Sequence, residues 1–245
     1  MIPSRHPLAR GDMWKAAIIW ICLAGTAFAG PWPRGKGNHF ISASLAYDIG
    51  GSGVSPSYYH EMGLSPRTTL ILEYSKAFSG GDRVIARLSR SFELDRLNLL
   101  VGLTAGAGHV SGDAAGVLGL SAGRDITLLG MSGWASGAVI AEATKAEIVG
   151  KGELTLGINA RNGAKYYAQV SGTTYLNPAP TISIVRPLWW SPPITYTITR
   201  YPPEVRLGLN AAIPIAKKTW LDVGLSRGVQ EGGSTRIKLG LWRQF

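Results

Sequence analysis

The feature that most constrains this chain is an alternation of apolar residues with period two, repeated in segments along most of its length. Clear examples are Leu97/Leu99/Val101/Leu103 and Leu221/Val223/Leu225, with small or polar residues such as Thr104 and Gly224 in between. Alternation of this kind predicts β-strands with one apolar face. Each segment is about ten residues long, which is enough for a tilted strand to cross the apolar core of a bilayer.

Two classes of β-protein fit this alternation, a soluble β-sandwich and a membrane β-barrel. A sandwich buries its apolar faces and covers its outside with charged residues. Here only 16% of residues are charged, and the polar face of the segments consists mostly of Gly, Ser, Thr and Asn. Since this composition is typical of the interior of a narrow barrel, we predict an all-β protein, a transmembrane antiparallel up-and-down β-barrel over residues 38–245.

Residues 1–29 have the pattern of a cleaved export signal. Three basic residues precede an apolar stretch that ends in Ala27-Phe28-Ala29, a site of the small-x-small kind. An uncleaved anchor helix is the alternative, but the apolar run is shorter than the roughly 20 residues that a span needs. We therefore expect cleavage after Ala29, followed by a Pro/Gly-rich segment, residues 30–37, that enters the barrel from the periplasm.

The chain has a single cysteine and an excess of basic residues. Cys22 lies inside the predicted signal, so the remaining chain offers no disulfide and no cysteine-ligated metal, and we expect no metal or cofactor. The formal net charge is +10, but the basic residues are scattered singly and form no nucleic-acid recognition motif. Anionic lipid head groups are the counter-charge that we expect.

The links between segments give a second regularity. Short turns that carry a cation alternate with looser, Gly-rich links, as in barrels with short periplasmic turns and longer outer loops. The cations of these turns are Arg67, Arg96, Arg124, Arg161 and the pair Lys217 and Lys218. Twelve strands result, which we place near 38–48, 57–65, 68–77, 83–92, 97–108, 115–124, 127–141, 147–160, 164–176, 204–214, 219–228 and 235–245.

Residues 177–203 leave the number of strands open. Ile182/Ile184 and Ile194/Tyr196/Ile198 alternate as two further strands would, which gives fourteen. Pro187, Pro192 and Pro193 cannot donate to a ladder, however, and they leave both pieces short for a span. We prefer a long outer loop or a hairpin at the rim, and hence twelve strands, with fourteen or ten as alternatives.

The last strand carries apolar residues at Ile237, Leu239 and Leu241 and ends on Phe245. With the signal that ends at Ala29, this pattern resembles the outer-membrane β-barrel proteins of Gram-negative bacteria, specifically small porin-like barrels. The resemblance implies an outer-membrane location, contact with its lipids including lipopolysaccharide, periplasmic chaperones, and a barrel-assembly machinery that reads the last strand. Arg243 departs from the family's apolar pattern, although an arginine near the interface can snorkel.

Alternation strand by strand points eight charged residues into the lumen, where we predict that they line a pore. They are Glu73, Arg83, Arg87, Lys151, Glu153, Arg206, Asp222 and Lys238. A turn centred near Gly80 sets Glu73 opposite Arg87, and one near Gln230 sets Asp222 nearly opposite Lys238. Cross-strand pairs of opposite charge add about 0.2–1 kcal/mol to a hairpin. The alternative is that these residues only fill and neutralise the interior.

The remaining motifs favour a channel over an enzyme. His109, Ser111 and Asp113 supply the residue types of a hydrolase, but turn chemistry explains Ser, Gly and Asp at this spacing. We predict no catalytic residues and a small porin-like channel for the passive passage of small solutes. A structural or interaction barrel that acts through its outer loops, above all residues 177–203, is the alternative.

Overall fold

A computed structural model of the protein describes residues 30–50, 53–78, 81–177 and 203–245. Within these ranges no helix is long and apolar enough to cross a membrane. The predicted signal, residues 1–29, and most of the predicted outer loop, residues 178–202, lie outside the described residues.

The described residues form twelve strands and one short 3-10 helix, Asp95–Leu97. The strands are β1 (His39–Ile49), β2 (Val54–Gly63), β3 (Thr68–Lys76), β4 (Asp82–Leu94), β5 (Leu99–Val110), β6 (Asp113–Leu128), β7 (Met131–Thr144), β8 (Ile148–Asn159), β9 (Lys165–Tyr175), β10 (Glu204–Ala216), β11 (Thr219–Gly228) and β12 (Thr235–Gln244).

The strands close into an antiparallel barrel in which each strand pairs with the next and β12 pairs with β1. β9 and β10 are direct neighbours, with a ladder from Thr173↔Glu204 to Lys165↔Ala212. Because the facing edges of β9 and β10 bond to each other, the wall has no place for further strands between them. The prediction of twelve strands is confirmed, and the alternatives of fourteen and ten are wrong.

The barrel has two ends, which we name by their connections. The turn end carries His39 and Phe245 and the five connections β2–β3, β4–β5, β6–β7, β8–β9 and β10–β11, whereas the loop end carries the other six. The predicted turn at Arg124 is wrong, because Arg124 lies inside β6 and the chain turns at Leu129-Gly130. Both turn residues have positive φ, 53° and 72°, as a two-residue hairpin turn requires.

One loop-end connection is much shorter than the sequence suggested. β5 and β6 are joined by Ser111 and Gly112 alone, with φ of 48° and 98°. The Gly-rich stretch on either side of them belongs to the strands. The predicted strict alternation of short turns and longer loops is therefore wrong at this connection, because glycine and serine here serve a tight turn rather than a loose one.

The alternation of outward apolar and inward polar residues is present as predicted. Leu207 and Leu209 are 51% and 71% exposed on the outer surface, while Arg206, which directly precedes Leu207, is buried inside. The last strand follows the same rule, with Ile237, Leu239 and Leu241 outside. The outer surface is thus an apolar belt, which is typical of barrels that contact lipid.

The seam between β1 and β12 runs from Phe40↔Gln244 to Ile49↔Thr235. Beyond it, His39 N donates to Phe245 O at 2.8 Å, and Phe245 N donates to His39 O at 3.2 Å. The Phe245 ring stacks on His39 with 5.0 Å between centroids, and Arg243 Cζ lies 5.9 Å from its centroid. Arg243, the departure from the family pattern, therefore contacts the terminal aromatic ring.

Deleting Phe245 should lower the amount of assembled barrel far more than Arg243→Tyr does. The deletion removes two backbone hydrogen bonds and a stacked ring at the seam, whereas tyrosine keeps an aromatic contact there. Heat-modifiable mobility of the protein in outer-membrane fractions measures assembly. Equal assembly without Phe245 would count against a role of this residue in targeting.

Candidate functional site: the lumen

The barrel encloses a cavity of about 770 Å³. Much of its wall consists of small polar side chains on β1 and β2, such as Ser42 and Ser55. Ser44 and Ser57 join these two strands by a hydrogen bond of 2.7 Å between their hydroxyl oxygens. Short side chains at inward positions leave the cavity open. Longer charged and aromatic side chains from other strands form the rest of its wall.

The lumen is packed more densely on one side. Ile85, Ala115, Val117 and Ile140 form a buried apolar cluster on β4, β6 and β7. These four residues do not line the cavity, although Arg83, Trp134 and Glu142 from the same side do. We call the β4–β7 side the filled half, and its packing narrows the free cross-section of the barrel.

A chain of ion pairs, which we call the crossing network, runs along the inner surface of the filled half. Glu73 pairs with Arg87 and with Arg83, whose Nη1 lies 2.5 Å from Glu73 Oε2. Arg83 Nε also reaches Glu142 Oε2 at 2.7 Å, and Lys151 Nζ lies 2.8 Å from Glu142 Oε1. The network thereby links β3 and β4 to β7 and β8, and each acid serves two cations.

Small residues lie on β5 and β6, the two strands between Arg83 of β4 and Glu142 of β7. The ladder sets Gly108 of β5 opposite Ala115 of β6. A Cβ on Gly106 of β5 would lie 2.6 Å from Arg87 Cγ. Gly106 therefore leaves room for Arg87, which belongs to the crossing network.

The predicted ion pair between Glu73 and Arg87 is present, but the register of the two strands differs from the predicted one. Glu73 lies opposite Ile85 and Arg87 opposite Ile71, so their ion pair is diagonal. The hairpin is centred one residue before Gly80. Long side chains reach diagonal neighbours as well as direct ones, which explains why the contact survives the shift.

The second predicted pair, Asp222 and Lys238, is also diagonal, since Asp222 lies opposite Gly240. Lys238 Nζ is 2.8 Å from Asp222 Oδ2 and donates to Tyr167 Oη at 3.1 Å. Tyr167 Oη in turn donates to Asp222 Oδ1 at 2.9 Å. This cluster ties β9 to β11 and β12, and Asp222 is almost fully buried within it.

Four charged residues form a second network at the loop end, which we call the mouth network. Arg236 Nε lies 3.2 Å from Asp48 Oδ2, and its Nη2 lies 3.5 Å from Glu204 Oε1. Glu204 also pairs with Arg206, whose Nη2 donates to Ser234 O at 2.9 Å. The mouth network joins β1, β10 and β12, so it spans the seam at the loop end.

Five aromatic side chains form a row on the inner wall towards the turn end. Successive ring centroids lie between 5.6 and 6.3 Å apart. The row consists of Tyr59, Phe40, Trp242, Tyr167 and Trp134. These contacts fix the rings against one another and give the cavity flat apolar surfaces beside charged groups.

Residues 30–37, which we call the N-terminal segment, fold into the turn end of the lumen. Pro31 is fully buried, and its carbonyl accepts a hydrogen bond of 2.5 Å from Ser91 Oγ on β4. Arg34 forms an ion pair with the buried Glu61, and its Cζ lies 4.5 Å from the centroid of Phe40. The segment thus crosses from β1 to the filled half and narrows the turn end.

Glycines on β5 and β6 make room for the N-terminal segment. A Cβ on Gly123 would lie 2.6 Å from the indole ring of Trp32, and one on Gly102 would lie 3.4 Å from Pro31 Cα. Neither glycine has a positive φ, so the backbone conformation would tolerate a side chain. A side chain at either position is excluded by lack of space alone. The wall is therefore shaped to hold this segment.

The charges that line the cavity are balanced. Among the residues that the structure describes, eight cations and eight carboxylates contribute to its lining, although the chain as a whole has a formal charge of +10. The cations are Arg34, Lys76, Arg83, Lys151, Lys165, Arg206, Arg236 and Lys238, and the carboxylates are Glu61, Glu73, Asp82, Asp125, Glu142, Glu147, Glu153 and Asp222. The basic excess of the chain lies elsewhere.

Seven of the eight predicted site residues line the cavity, and Arg87 does not. Arg87 lies in the filled half with 2% exposure. Glu153 lines the cavity, and its Oε1 accepts a hydrogen bond from Thr155 Oγ1 at 3.2 Å.

The sequence prediction missed Glu142, which follows directly after the predicted strand 127–141. Ile140 is apolar but points inward, so the alternation of apolar and polar residues did not show which face of β7 is the inner one. Hairpin geometry across the short β7–β8 link could still have placed Glu142 near Lys151.

No protein-family model matches the sequence, and no curated protein sequence is detectably similar to it. Among solved structures, the KdgM porin has a TM-score of 0.59 and 8% identity over 84% of this chain and 99% of that chain. The NanC porin has a TM-score of 0.59 and 9% identity over 82% and 98%. The fold is that of the porin-like outer-membrane barrels.

An outer-membrane channel from Pseudomonas putida F1 gives the same result, with a TM-score of 0.52 and 13% identity over 91% of this chain and all of that chain. At these low identities the likeness concerns the fold alone. It confirms, at that level, the resemblance that the last strand indicates in the sequence.

Glu73→Gln should destabilise the barrel by about 3 kcal/mol, because it leaves two buried arginines short of counter-charge. Denaturant unfolding in detergent micelles measures this cost. Glu231→Gln is the matched control at an exposed loop-end position and should cost less than about 0.5 kcal/mol. Equal stability of the two variants would show that the crossing network adds nothing.

The double substitution Pro31→Gly with Trp32→Gly should release the N-terminal segment and raise the single-channel conductance. The rings of Pro31 and Trp32 lie against Gly123, so their loss frees space at the turn end, while the Pro31 carbonyl that accepts from Ser91 is kept. Recordings in planar bilayers measure the change. Lys36→Gly, at an exposed position of the same segment, should leave the conductance unchanged; an unchanged value in the double variant would argue against narrowing by the segment.

Proposed function

We propose that the protein is an outer-membrane porin-like channel through which small polar solutes pass passively. The observation that carries this proposal is a cavity lined by charged and polar groups inside a barrel whose outer surface is an apolar belt. A polar interior within an apolar exterior suits a water-filled path through a bilayer. The likeness to KdgM, NanC and the Pseudomonas channel supports the fold on which it rests.

We assign the turn end to the periplasm and the loop end to the outside. The predicted export signal and the position of the N-terminal segment and of Phe245 at the turn end support this orientation. It implies biogenesis with periplasmic chaperones and the barrel-assembly machinery, which would read Ile237, Leu239, Leu241 and Phe245. Lipopolysaccharide would then surround the loop end.

The balanced lining favours small polar solutes over a class of one charge. One KdgM structure contains disordered oligogalacturonate. That ligand is a polyanion, and a lumen with equal numbers of cationic and anionic side chains offers it no net attraction. Glu73, Arg83, Lys151, Glu153, Arg206, Asp222 and Lys238 are the pore-lining residues of this proposal, and Arg87 serves to neutralise Glu73.

The channel is preferred to an interaction barrel because the described loop-end connections are short and offer little surface for a partner. Most of residues 177–203, which would carry that function, lie outside the described residues. An enzyme is not proposed. His109 is exposed on the outer surface, and Ser111 forms a two-residue turn.

Purified protein in planar bilayers should give discrete conductance steps, and Arg236→Glu should shift their selectivity towards cations. Arg236 lines the cavity at the loop end, where a reversed charge acts on passing ions. Arg227→Glu makes the same change at the neighbouring outward position of the same hairpin and should leave the selectivity unchanged. A silent barrel would favour the structural alternative.

A further inference from the structure

The exposed cations of the described connections are concentrated at the turn end. Four of its five connections carry one or two of them, namely Arg67, Arg96, Arg161 and the pair Lys217 and Lys218, against a single acid, Asp95. Among the loop-end connections that the structure describes, Lys145 is the only cation, and it is accompanied by Glu147 and Glu231. The two rims of the apolar belt therefore present different charges to a membrane.

Two strands that run towards the turn end carry the same outward motif, an arginine followed two residues later by a phenylalanine. Arg90 Cζ lies 5.9 Å from the centroid of Phe92, and Arg243 Cζ lies 5.9 Å from the centroid of Phe245. All four side chains are exposed. Arginine and aromatic residues together are typical of the head-group region at the rim of an apolar belt.

A backbone hydrogen bond sets a second cation beside each motif. The amide between Arg90 and Phe92, that of Ser91, donates to Arg67 O at 2.9 Å. The amide of Gln244 donates in the same way to Lys218 O, also at 2.9 Å. These hydrogen bonds place Arg67 and Lys218 on the turn-end rim at the same level as the two motifs. We call each motif together with the cation at its level a unit, the first being Arg67–Arg90–Phe92 and the second Lys218–Arg243–Phe245.

Acidic side chains do little to satisfy these cations. Arg67 Nη2 lies 4.0 Å from Glu93 Oε1, and both side chains are 62% exposed, so solvent screens the pair. Arg90, Lys218 and Arg243 form no ion pair with an acidic side chain of the described residues. Their charges are therefore available to anionic groups outside the barrel.

We propose that the two units bind the phosphate groups of anionic glycerophospholipids in the leaflet at the turn end. A guanidinium group binds phosphate oxygens through two N–H donors, and a second cation adds to the attraction. The ring of each unit lies at the rim of the apolar belt and holds its arginine at the level of the head groups. This inference rests on the proposed function, which places the barrel in the outer membrane with its turn end towards the periplasm. It adds the class of lipid that is bound and the leaflet in which it lies.

Native mass spectrometry of the protein purified from membranes tests the proposal. Phosphatidylglycerol and phosphatidylethanolamine with identical acyl chains are added, and the number of retained lipids is counted. The wild type should retain phosphatidylglycerol in preference. Arg67→Gln with Arg90→Gln, and Lys218→Gln with Arg243→Gln, should each lower its apparent affinity about tenfold.

The matched control is Lys145→Gln with Arg227→Gln, which removes two exposed cations at the loop end and should leave retention unchanged. Equal retention of the two lipids by the wild type would overturn the proposal, and so would an equal loss in the control. A third arm adds lipopolysaccharide, the other phosphate source, and its displacement of phosphatidylglycerol from these units would also overturn it.

Bilayer recordings of the same preparations separate this inference from the channel. Conductance steps from a protein that shows no preference for phosphatidylglycerol in mass spectrometry would overturn the proposed lipid binding and leave the proposed channel intact. Failure to insert into bilayers at all would count against the proposed function itself. The Arg67/Arg90 variant leaves the terminal strand intact, so its result stands even where the Lys218/Arg243 variant assembles poorly.

Discussion

Closure between β1 and β12 is the interaction on which the rest of the structure depends. An open sheet would leave two rows of unpaired backbone groups, and nothing in an apolar environment could satisfy them. The seam pairs residues near both ends of the barrel sequence and continues through His39 and Phe245. Once twelve strands close, the size of the interior is set, and side chains must either fill it or line it.

The chain packs one half of the lumen more densely than the other. Glycine and alanine on β5 and β6 let residues of β4 approach those of β7, and the resulting apolar cluster and crossing network occupy that side. On the opposite side, small side chains on β1 and β2 leave the free volume. Buried ion pairs suit this design because each charge has partners fixed by the wall, so the lumen is polar without a large net charge.

The strands and the two faces could be predicted from the sequence because both depend on local alternation. The positions of turns were less certain, since Arg124 and the Gly-rich stretch around Ser111 have the composition of turns but lie in or beside long strands. Contacts between distant strands, such as Arg83 with Glu142, were out of reach, because no local pattern encodes them. The N-terminal segment was predicted as an entry to the barrel, but its binding site on β5 and β6 is visible only in three dimensions.

The N-terminal segment also has a consequence for the order of folding. The hydrogen bond from Ser91 to Pro31 joins residues 60 positions apart, and Trp32 fits against Gly123 on the far side of β6. Both partners lie on strands that follow the segment in the chain. The segment is therefore made before its binding site, and it settles only when β4, β5 and β6 are in place.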